Sequence, residues 1–390
     1  MDIRSLLKVM VDREASDLYL TVDAPPVYRI HGVTQRTDAP PFTNEQLEAL
    51  ALALMRGQQR GEFEEKMEMN LALYYKELGR FRVNIFRQKG NVGLVFRLIK
   101  AEIQTVEELQ LPPIIKDIAM TKRGLVLVVG ATGSGKSTTL AAMIDHRNTI
   151  APGHIVTVED PIEFVHQHKK CIITQREVGF DTHSFQNALK NTLRQAPDVI
   201  LIGEIRDTET MEAAITFAET GHLCLGTLHS NNANQAIERI MNFFPVERHA
   251  QIYLQLSLNL RAIISQRLIP SLDGKRVPAL EIMLDTPRVK DLIKKAQVDT
   301  LKEAMEQGIE EGCQTFDHVL FNLYKSGKIS IEQALINADS ANNLRLKIKL
   351  EGLKGEEALA ALLDKNKEGK DKTFQIQGMS PSSPSPLRKR

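Results

Sequence analysis

The chain has 390 residues, more than one ordinary domain needs, and 42% of them are hydrophobic, so two or three domains with apolar cores are expected. Lys and Arg number 50 against 49 Asp and Glu, and the resulting net charge of +1 gives no support to nucleic-acid binding. Because no stretch reaches the apolar length of a membrane span and the N-terminus lacks a signal-peptide core, we expect a cytoplasmic protein that meets a membrane only through partners.

Residues 1–100 have the pattern of a small α/β domain. A helix is expected over residues 3–11, followed by a strand near residues 18–22. A second helix begins at Thr43, which forms a predicted capping box with Gln46 three residues later.

Two further strands are predicted in this domain, over residues 80–86 and 92–99. In the first of them apolar and polar residues alternate, so that one face is polar and the other is apolar. Arg82 lies on the polar face and is therefore expected to project away from the core of its own domain. Arg97, near the end of the second strand, can reach the same side.

Residues 101–112, which end at the first of the two consecutive prolines Pro112 and Pro113, are predicted to link this domain to a core over residues 113–285. Four apolar runs separated by helical patterns in the core favour βαβ units around a largely parallel sheet. The runs are Leu125–Val129, His154–Val158, Val199–Ile202 and Leu223–Leu228. Residues 286–350 lack strand alternation and are predicted to be helical, and residues 351–390 are expected to form a disordered tail.

A glycine-rich segment between a predicted strand and a predicted helix has the spacing of a phosphate-binding loop. Its glycines let backbone amides turn toward phosphate oxygens, Lys136 offers an ammonium group to the outer phosphates, and Ser137 can place a hydroxyl on Mg²⁺. A chance glycine-rich turn is the alternative, which the flanking strand and helix disfavour. The nucleotide-binding residues predicted here are Gly130, Ala131, Thr132, Gly133, Ser134, Gly135, Lys136, Ser137 and Thr138.

Acidic residues follow two other apolar runs. Residues 155–163 deliver three carboxylates, including Glu163, and hydrolysis of a γ-phosphate needs a carboxylate that orients water. A solvated acidic loop is the alternative. Glu204 follows a strand-like run of four apolar residues and a glycine, where it can hold Mg²⁺ through water. Arg194 and Arg206 flank it and can neutralise phosphate charge in this subunit or in a neighbour. A surface ion pair is the alternative for either arginine taken singly.

His222 and His229 bracket the last of the four apolar runs. Taken alone, a histidine at a strand end is usually structural. The phosphate loop, the acidic loop, the Gly-Glu pair and the two histidines occur together and in this order. In that order they resemble the Walker A, Asp box, Walker B and His box segments of the hexameric secretion and type IV pilus ATPases.

The resemblance extends over roughly residues 1–350 and implies a fold. It implies an α/β protein with a PAS-like N-terminal domain, a RecA-like P-loop NTPase core and a helical C-terminal segment. It also implies ATP and Mg²⁺ as the ligands of the core and a homo-hexamer as the assembly.

The resemblance also implies roles for individual residues. Lys136 and Ser137 would bind phosphate and Mg²⁺, and Glu163 would be the catalytic glutamate. Glu204 would be the Walker B acid, near Mg²⁺, and His222 and His229 would be the His-box histidines. The arginines that reach the nucleotide in this family are matched by Arg82, Arg97, Arg194 and Arg206.

Within the family the chain is most similar to the pilus retraction branch, the PilT/PilU family. It has neither the long extra N-terminal domain nor the four-cysteine zinc module of the assembly branch. Thr286 and Pro287 precede a helix in which Lys290 and Lys294 replace two arginines of PilT-type motors, so this segment looks like that of the accessory, PilU-like members. Such a protein is expected to act with a PilT-type motor and a platform protein at the cytoplasmic face of the inner membrane.

The hypothesis from the sequence is therefore an ATP-hydrolysing ring motor subunit that powers type IV pilus retraction and twitching motility. A pilus assembly or type II secretion ATPase of the same fold is one alternative. A regulatory subunit of a mixed retraction motor, with little turnover of its own, is another.

Overall fold

The computed structural model describes residues 2–30, 32–99 and 102–350, and the predicted tail at 351–390 lies outside them. The N-terminal part contains three helices and one six-stranded sheet with strand order β3-β2-β1-β6-β5-β4, in which neighbouring strands are antiparallel. Its elements are α1 (Ile3–Asp12), β1 (Ala15–Leu20), β2 (Val27–Ile30), β3 (Val33–Arg36), α2 (Asn44–Leu54), α3 (Gly57–Lys66), β4 (Glu68–Tyr75), β5 (Gly79–Gln88) and β6 (Asn91–Ile99).

Local sequence signals explain how these elements begin and which face they bury. The Thr43–Gln46 capping box at the start of α2 is present with both of its hydrogen bonds. In β5 the predicted alternation is confirmed, and its apolar face packs with α1 and α2 into one buried cluster that includes Phe81 and Val83. The polar face, which carries Arg82, points away from this cluster.

The core is a seven-stranded sheet with strand order β13-β12-β7-β11-β10-β8-β9, and the pairs from β12 to β9 are parallel. The four predicted strands are confirmed, whereas β9, β12 and β13 were not predicted. The elements are α4 (Ile114–Ala119), β7 (Gly124–Val129), α5 (Lys136–Ile150), β8 (Gly153–Glu159), β9 (Cys171–Glu177), α6 (Phe185–Thr192), β10 (Val199–Ile202), α7 (Thr208–Glu219), β11 (Leu223–Leu228), α8 (Ala233–Met241), α9 (His249–Asn259), β12 (Leu260–Pro270) and β13 (Arg276–Leu284).

Helices dominate the chain after the sheet. By backbone contacts the described residues divide into two compact units, and the first of them includes α10 (Pro287–Lys294) and α11 (Leu301–Gln307), whose apolar residues join a buried cluster of the core. The second unit contains residues 269–277 together with α12 (Phe316–Lys325), α13 (Ile331–Ile336) and α14 (Ala341–Leu350). Among the described helices, none combines the length and the apolar composition of a membrane span.

The packing of β5 predicts a selective loss of stability. Phe81 is completely buried, so Phe81→Ala should lower the free energy of unfolding of the N-terminal domain by about 3–5 kcal/mol through lost burial and a residual cavity. Tyr74, on the adjacent β4, has 72% of its surface exposed, and Tyr74→Ala should change it by no more than about 0.5 kcal/mol. Urea titrations followed by circular dichroism measure both variants, and equal losses would contradict the packing described here.

Candidate active site

The phosphate loop is a tight turn between β7 and α5. All six residues of β7 are buried, and Gly130, Gly133 and Gly135 then have φ angles of 154°, 78° and 91°, which L side chains rarely adopt. Space is also limited. A Cβ at Gly130 would come within 2.6 Å of the Gln266 carbonyl oxygen, and one at Gly135 within 2.8 Å of Gln266 Nε2. Glycine is therefore required by conformation at three positions and by space at two.

Gln266, on β12, supports the back of this loop. The strand pairs with β7 so that Ser265 lies opposite Val129, which places Gln266 beside the start of the loop. Its side chain is buried, and its Oε1 accepts a 2.7 Å hydrogen bond from Thr139 Oγ1 on α5. Sequence reasoning missed this residue, because a glutamine after an apolar run belongs to no local motif.

Lys136 is nearly buried at the start of α5. Its Nζ donates hydrogen bonds to the carbonyl oxygens of Gly130 and Ala131, at 2.9 and 3.1 Å. Burial lowers the pKa of Lys136, and the carboxylates of Glu204 and Glu163 act in the opposite direction. The two predicted acids are therefore near enough to the predicted ammonium for their charges to affect its pKa.

The loop also contains an unsatisfied polar atom. Ser134 Oγ is buried and has no hydrogen-bond partner, which is costly unless a ligand supplies one. A phosphate oxygen held in the loop would supply that acceptor, so the glycine turn and its free donor fit a nucleotide phosphate. No group of three or more His, Cys, Asp or Glu within the described ranges could hold a metal alone.

The acidic loop after β8 approaches the phosphate loop and orders one arginine. Glu163 is exposed to solvent, and Asp160 Oδ2 lies 3.3 Å from Arg206 Nη2. The guanidinium of Arg206 also lies over the ring of Phe185, 5.5 Å from its centroid. Arg194, in a short turn after α6, is exposed, and its side chain makes no hydrogen bond or ion pair with any residue that the structure describes.

Glu159, the last residue of β8, has a pKa above the usual range of a glutamate. Burial raises its pKa to about 7, although hydrogen bonds from Thr157, Gln175 and the Glu163 backbone amide act against burial. Thr157 Oγ1 lies 2.6 Å and Gln175 Nε2 3.2 Å from its Oε1. Sequence reasoning counted Glu159 among three acids but gave it no distinct role.

The two histidines lie at opposite edges of the sheet. Glu204 and His229 follow the parallel strands β10 and β11, and His229 Nε2 is 3.4 Å from Glu204 Oε1. His222 precedes β11, and its Nδ1 lies 3.1 Å from Thr220 Oγ1. Because six strand residues span about 20 Å, this chain brings His229 to the phosphate loop but not His222.

The predicted arginines of the N-terminal domain share one face of its sheet. Arg82 and Arg97 lie directly opposite each other on β5 and β6, and Arg97 Nε donates a 2.8 Å hydrogen bond to the buried Asp17. Arg80, on the same face as Arg82, forms a 3.1 Å ion pair with Glu177 of the core. That pair was missed because its members are 97 residues apart in the sequence and leave no local signal.

Residues 3–357 match the family model of the type II/IV secretion system proteins. The chain belongs to this family. It is 54% identical over 351 residues to the type IV pilus ATPase PilU of Pseudomonas aeruginosa, covering 90% of this chain and 92% of that protein. It is 45% identical over 343 residues to the type IV pilus retraction ATPase PilT of the same organism, covering 88% of this chain and 100% of PilT.

A solved member of the family has the same fold. The crystal structure of the pilus retraction motor PilT with bound ADP matches 87% of this chain and 98% of its own, with a TM-score of 0.82 and 41% identity. The α/β class with a parallel core and the resemblance to the PilT/PilU branch are therefore confirmed. The PAS-like character of the N-terminal domain stays a prediction.

The raised pKa of Glu159 predicts a pH-dependent stability difference. A carboxyl group that binds its proton more tightly when folded stabilises the fold at low pH, and this contribution is lost as pH rises through about 7. Glutamine does not ionise, so the Glu159→Gln variant does not lose stability at this position as pH rises. Its free energy of unfolding relative to the parent should therefore increase, by on the order of 1–3 kcal/mol, between pH 5 and pH 8.

Urea titrations of the nucleotide-free protein at several pH values test this expectation. Glu102→Gln changes an exposed glutamate outside the site and should show no such trend. A difference for Glu159→Gln that stays flat or decreases with pH would contradict the burial of its charge.

Proposed function

We propose that this chain is an ATP-hydrolysing subunit of a hexameric ring motor that powers type IV pilus retraction. We assign it the accessory, PilU-like role beside a PilT-type motor. The observation that carries the proposal is the nearly buried Lys136 ammonium, which is held by two carbonyls of a glycine turn and whose pKa responds to the charges of Glu204 and Glu163. The similarity to PilU and PilT supplies the cellular task.

The phosphate loop of this chain would hold the outer phosphates of ATP. Lys136 is kept in place by two loop carbonyls and offers its charge to phosphate oxygens, and Ser134 offers an unpaired hydroxyl. Ser137 and Glu204 would hold Mg²⁺, the latter through water, and the ion would neutralise phosphate charge. The partner of Glu204, His229, keeps that carboxylate at the edge of the sheet.

Glu163 would orient the attacking water. Its carboxylate is exposed, so that water can reach it, and it lies close enough to affect the pKa of Lys136. Arg206 is ordered by Asp160 and Phe185 at the same edge. We assign the exposed Arg194 to a nucleotide on a neighbouring subunit, in a ring in which sites are shared.

The cellular setting follows from the proposed role. A retraction motor acts by turning a component at the base of the pilus. The partner would therefore be the platform protein of the pilus, at the cytoplasmic face of the inner membrane. Movement of the N-terminal domain against the core, with residues 101–112 as the hinge and Arg82 and Arg97 near the nucleotide, would transmit the energy of hydrolysis.

Two substitutions should separate binding from chemistry. Glu163→Gln keeps its size and loses the charge that activates water, so it should bind ATP while kcat falls by roughly 10²-fold or more. Lys136→Ala removes the charge that holds the outer phosphates and should abolish turnover in a folded protein. Phosphate release and equilibrium ATP binding measure both effects.

Glu247→Gln, at an exposed glutamate outside the site, is the control for these measurements. Wild-type turnover by folded Lys136→Ala would remove the proposal. Weakened binding with an unchanged kcat in Glu163→Gln would show that this residue is not the catalytic glutamate.

The direction of the motor can be tested in cells. Deletion of the gene should leave surface pili in place and impair twitching, because a retraction motor removes filaments and does not build them. The parent gene should restore twitching, and the Lys136→Ala gene should not. Loss of the filaments themselves, counted by electron microscopy, would instead indicate an assembly or secretion ATPase.

A further inference from the structure

One carboxylate of the core joins the N-terminal domain to the acidic loop. Glu177, the last residue of β9, is only 2% exposed. Its Oε2 lies 3.1 Å from Arg80 Nη2 on β5 of the N-terminal domain and 3.4 Å from the backbone nitrogen of Ile162. Ile162 directly precedes Glu163, so two hydrogen bonds separate the N-terminal domain from the residue beside the proposed catalytic carboxylate.

The buried charge makes this link energetically significant. Burial raises the pKa of Glu177, whereas the charge of Arg80, the Ile162 amide and the charge of Arg82 act in the opposite direction. A carboxylate removed from water needs charged or hydrogen-bonding partners, and loss of one partner leaves an uncompensated charge. Arg80 and the acidic loop therefore both stabilise the buried Glu177 carboxylate.

Other contacts from β9 hold the rest of the acidic loop. Gln175 Nε2 donates to the carbonyl oxygen of Phe164 at 2.9 Å, and Gln175 Oε1 accepts from the backbone amide of His166 at 2.8 Å. These bonds fix the loop after Glu163 from the core alone. Before Glu163, Asp160 pairs with Arg206 and the Glu163 amide bonds to Glu159. Glu177 holds the Ile162 amide between them and also pairs with Arg80 of the N-terminal domain.

We propose that Arg80 and Glu177 form a positioning pair that sets the orientation of Glu163 according to the position of the N-terminal domain. With the pair formed, Ile162 is anchored and Glu163 is presented to the phosphate loop. When movement of the N-terminal domain parts the pair, the anchor of Ile162 is lost and hydrolysis slows. This inference rests on the proposed function, because it gives Glu163 the catalytic role assigned above.

The chain offers a matched control on the same strand. Arg87 of β5 also forms an ion pair, 2.7 Å from Glu48, but both of its members belong to the N-terminal domain. Arg87→Gln therefore removes a similar charge and a similar bond without touching the core. Arg80→Lys keeps the charge with a single donor group and serves as the conservative variant.

Steady-state ATP hydrolysis by the full-length protein is the first test. Arg80→Gln should lower kcat by about tenfold or more while the ATP dissociation constant changes by less than about threefold, because orientation is lost and binding is not. Arg80→Lys should recover part of the rate, and Arg87→Gln should match the parent. Glu177→Gln should lower kcat similarly, and the double variant Arg80→Gln with Glu177→Gln should be no slower than the slower single variant.

Hydrogen–deuterium exchange at the Ile162 amide is the second test, and it does not depend on turnover. Exchange there should accelerate in Arg80→Gln and stay at the parent rate in Arg87→Gln. Unchanged exchange and kcat in Arg80→Gln, or losses that multiply in the double variant, would overturn the positioning pair. If the parent and Arg87→Gln show no hydrolysis while Ile162 still responds to Arg80→Gln, the link stands and the proposed enzyme role fails.

Discussion

The neutralisation of one nearly buried ammonium group organises the site. Lys136 is placed by a turn that only glycines can make, and its Nζ donates to two loop carbonyls. The charges of Glu204 and Glu163, from the loops after β10 and β8, oppose the lowering of its pKa by burial. The carboxyl ends of parallel strands lie at the same edge of a sheet. The topology of the core therefore places these groups near one another although they are far apart in the sequence. The proposed binding and hydrolysis of ATP both depend on the groups at that edge of the sheet.

The need to neutralise buried charge also links the N-terminal domain to the core. Its sheet buries one face in its own apolar cluster and leaves a basic face that carries Arg80, Arg82 and Arg97. A basic face needs acidic partners, and Glu177 of the core is one of them. Through this ion pair, the proposal connects the position of the domain to the acidic loop.

Local patterns in the sequence predicted the parts of the protein that local chemistry determines. The phosphate loop, four core strands and the Thr43 cap could be read from the sequence because spacing or propensity specifies each of them. Strand β9 could not, because an edge strand with exposed Ile172 and several polar residues lacks a continuous apolar run. Strand β12 follows α9 without an intervening turn, so no glycine or proline marks the boundary between them.

Tertiary contacts could not be read from the sequence for a related reason. Gln266 and the Arg80–Glu177 pair acquire their roles from residues distant in the chain, and neither has a local signature. The separation of His222 from His229 could have been predicted from the sequence, because the six-residue strand between them places them at its opposite ends.

The most direct test of the central claim is the release of phosphate from ATP by the purified parent protein, with Mg²⁺ and after its removal by EDTA. An enzyme that holds Mg²⁺ and phosphate at the edge of the sheet should release many phosphates per subunit with Mg²⁺ and almost none without it. ATP binding with no more than one phosphate released per subunit would contradict that account and indicate a regulatory subunit.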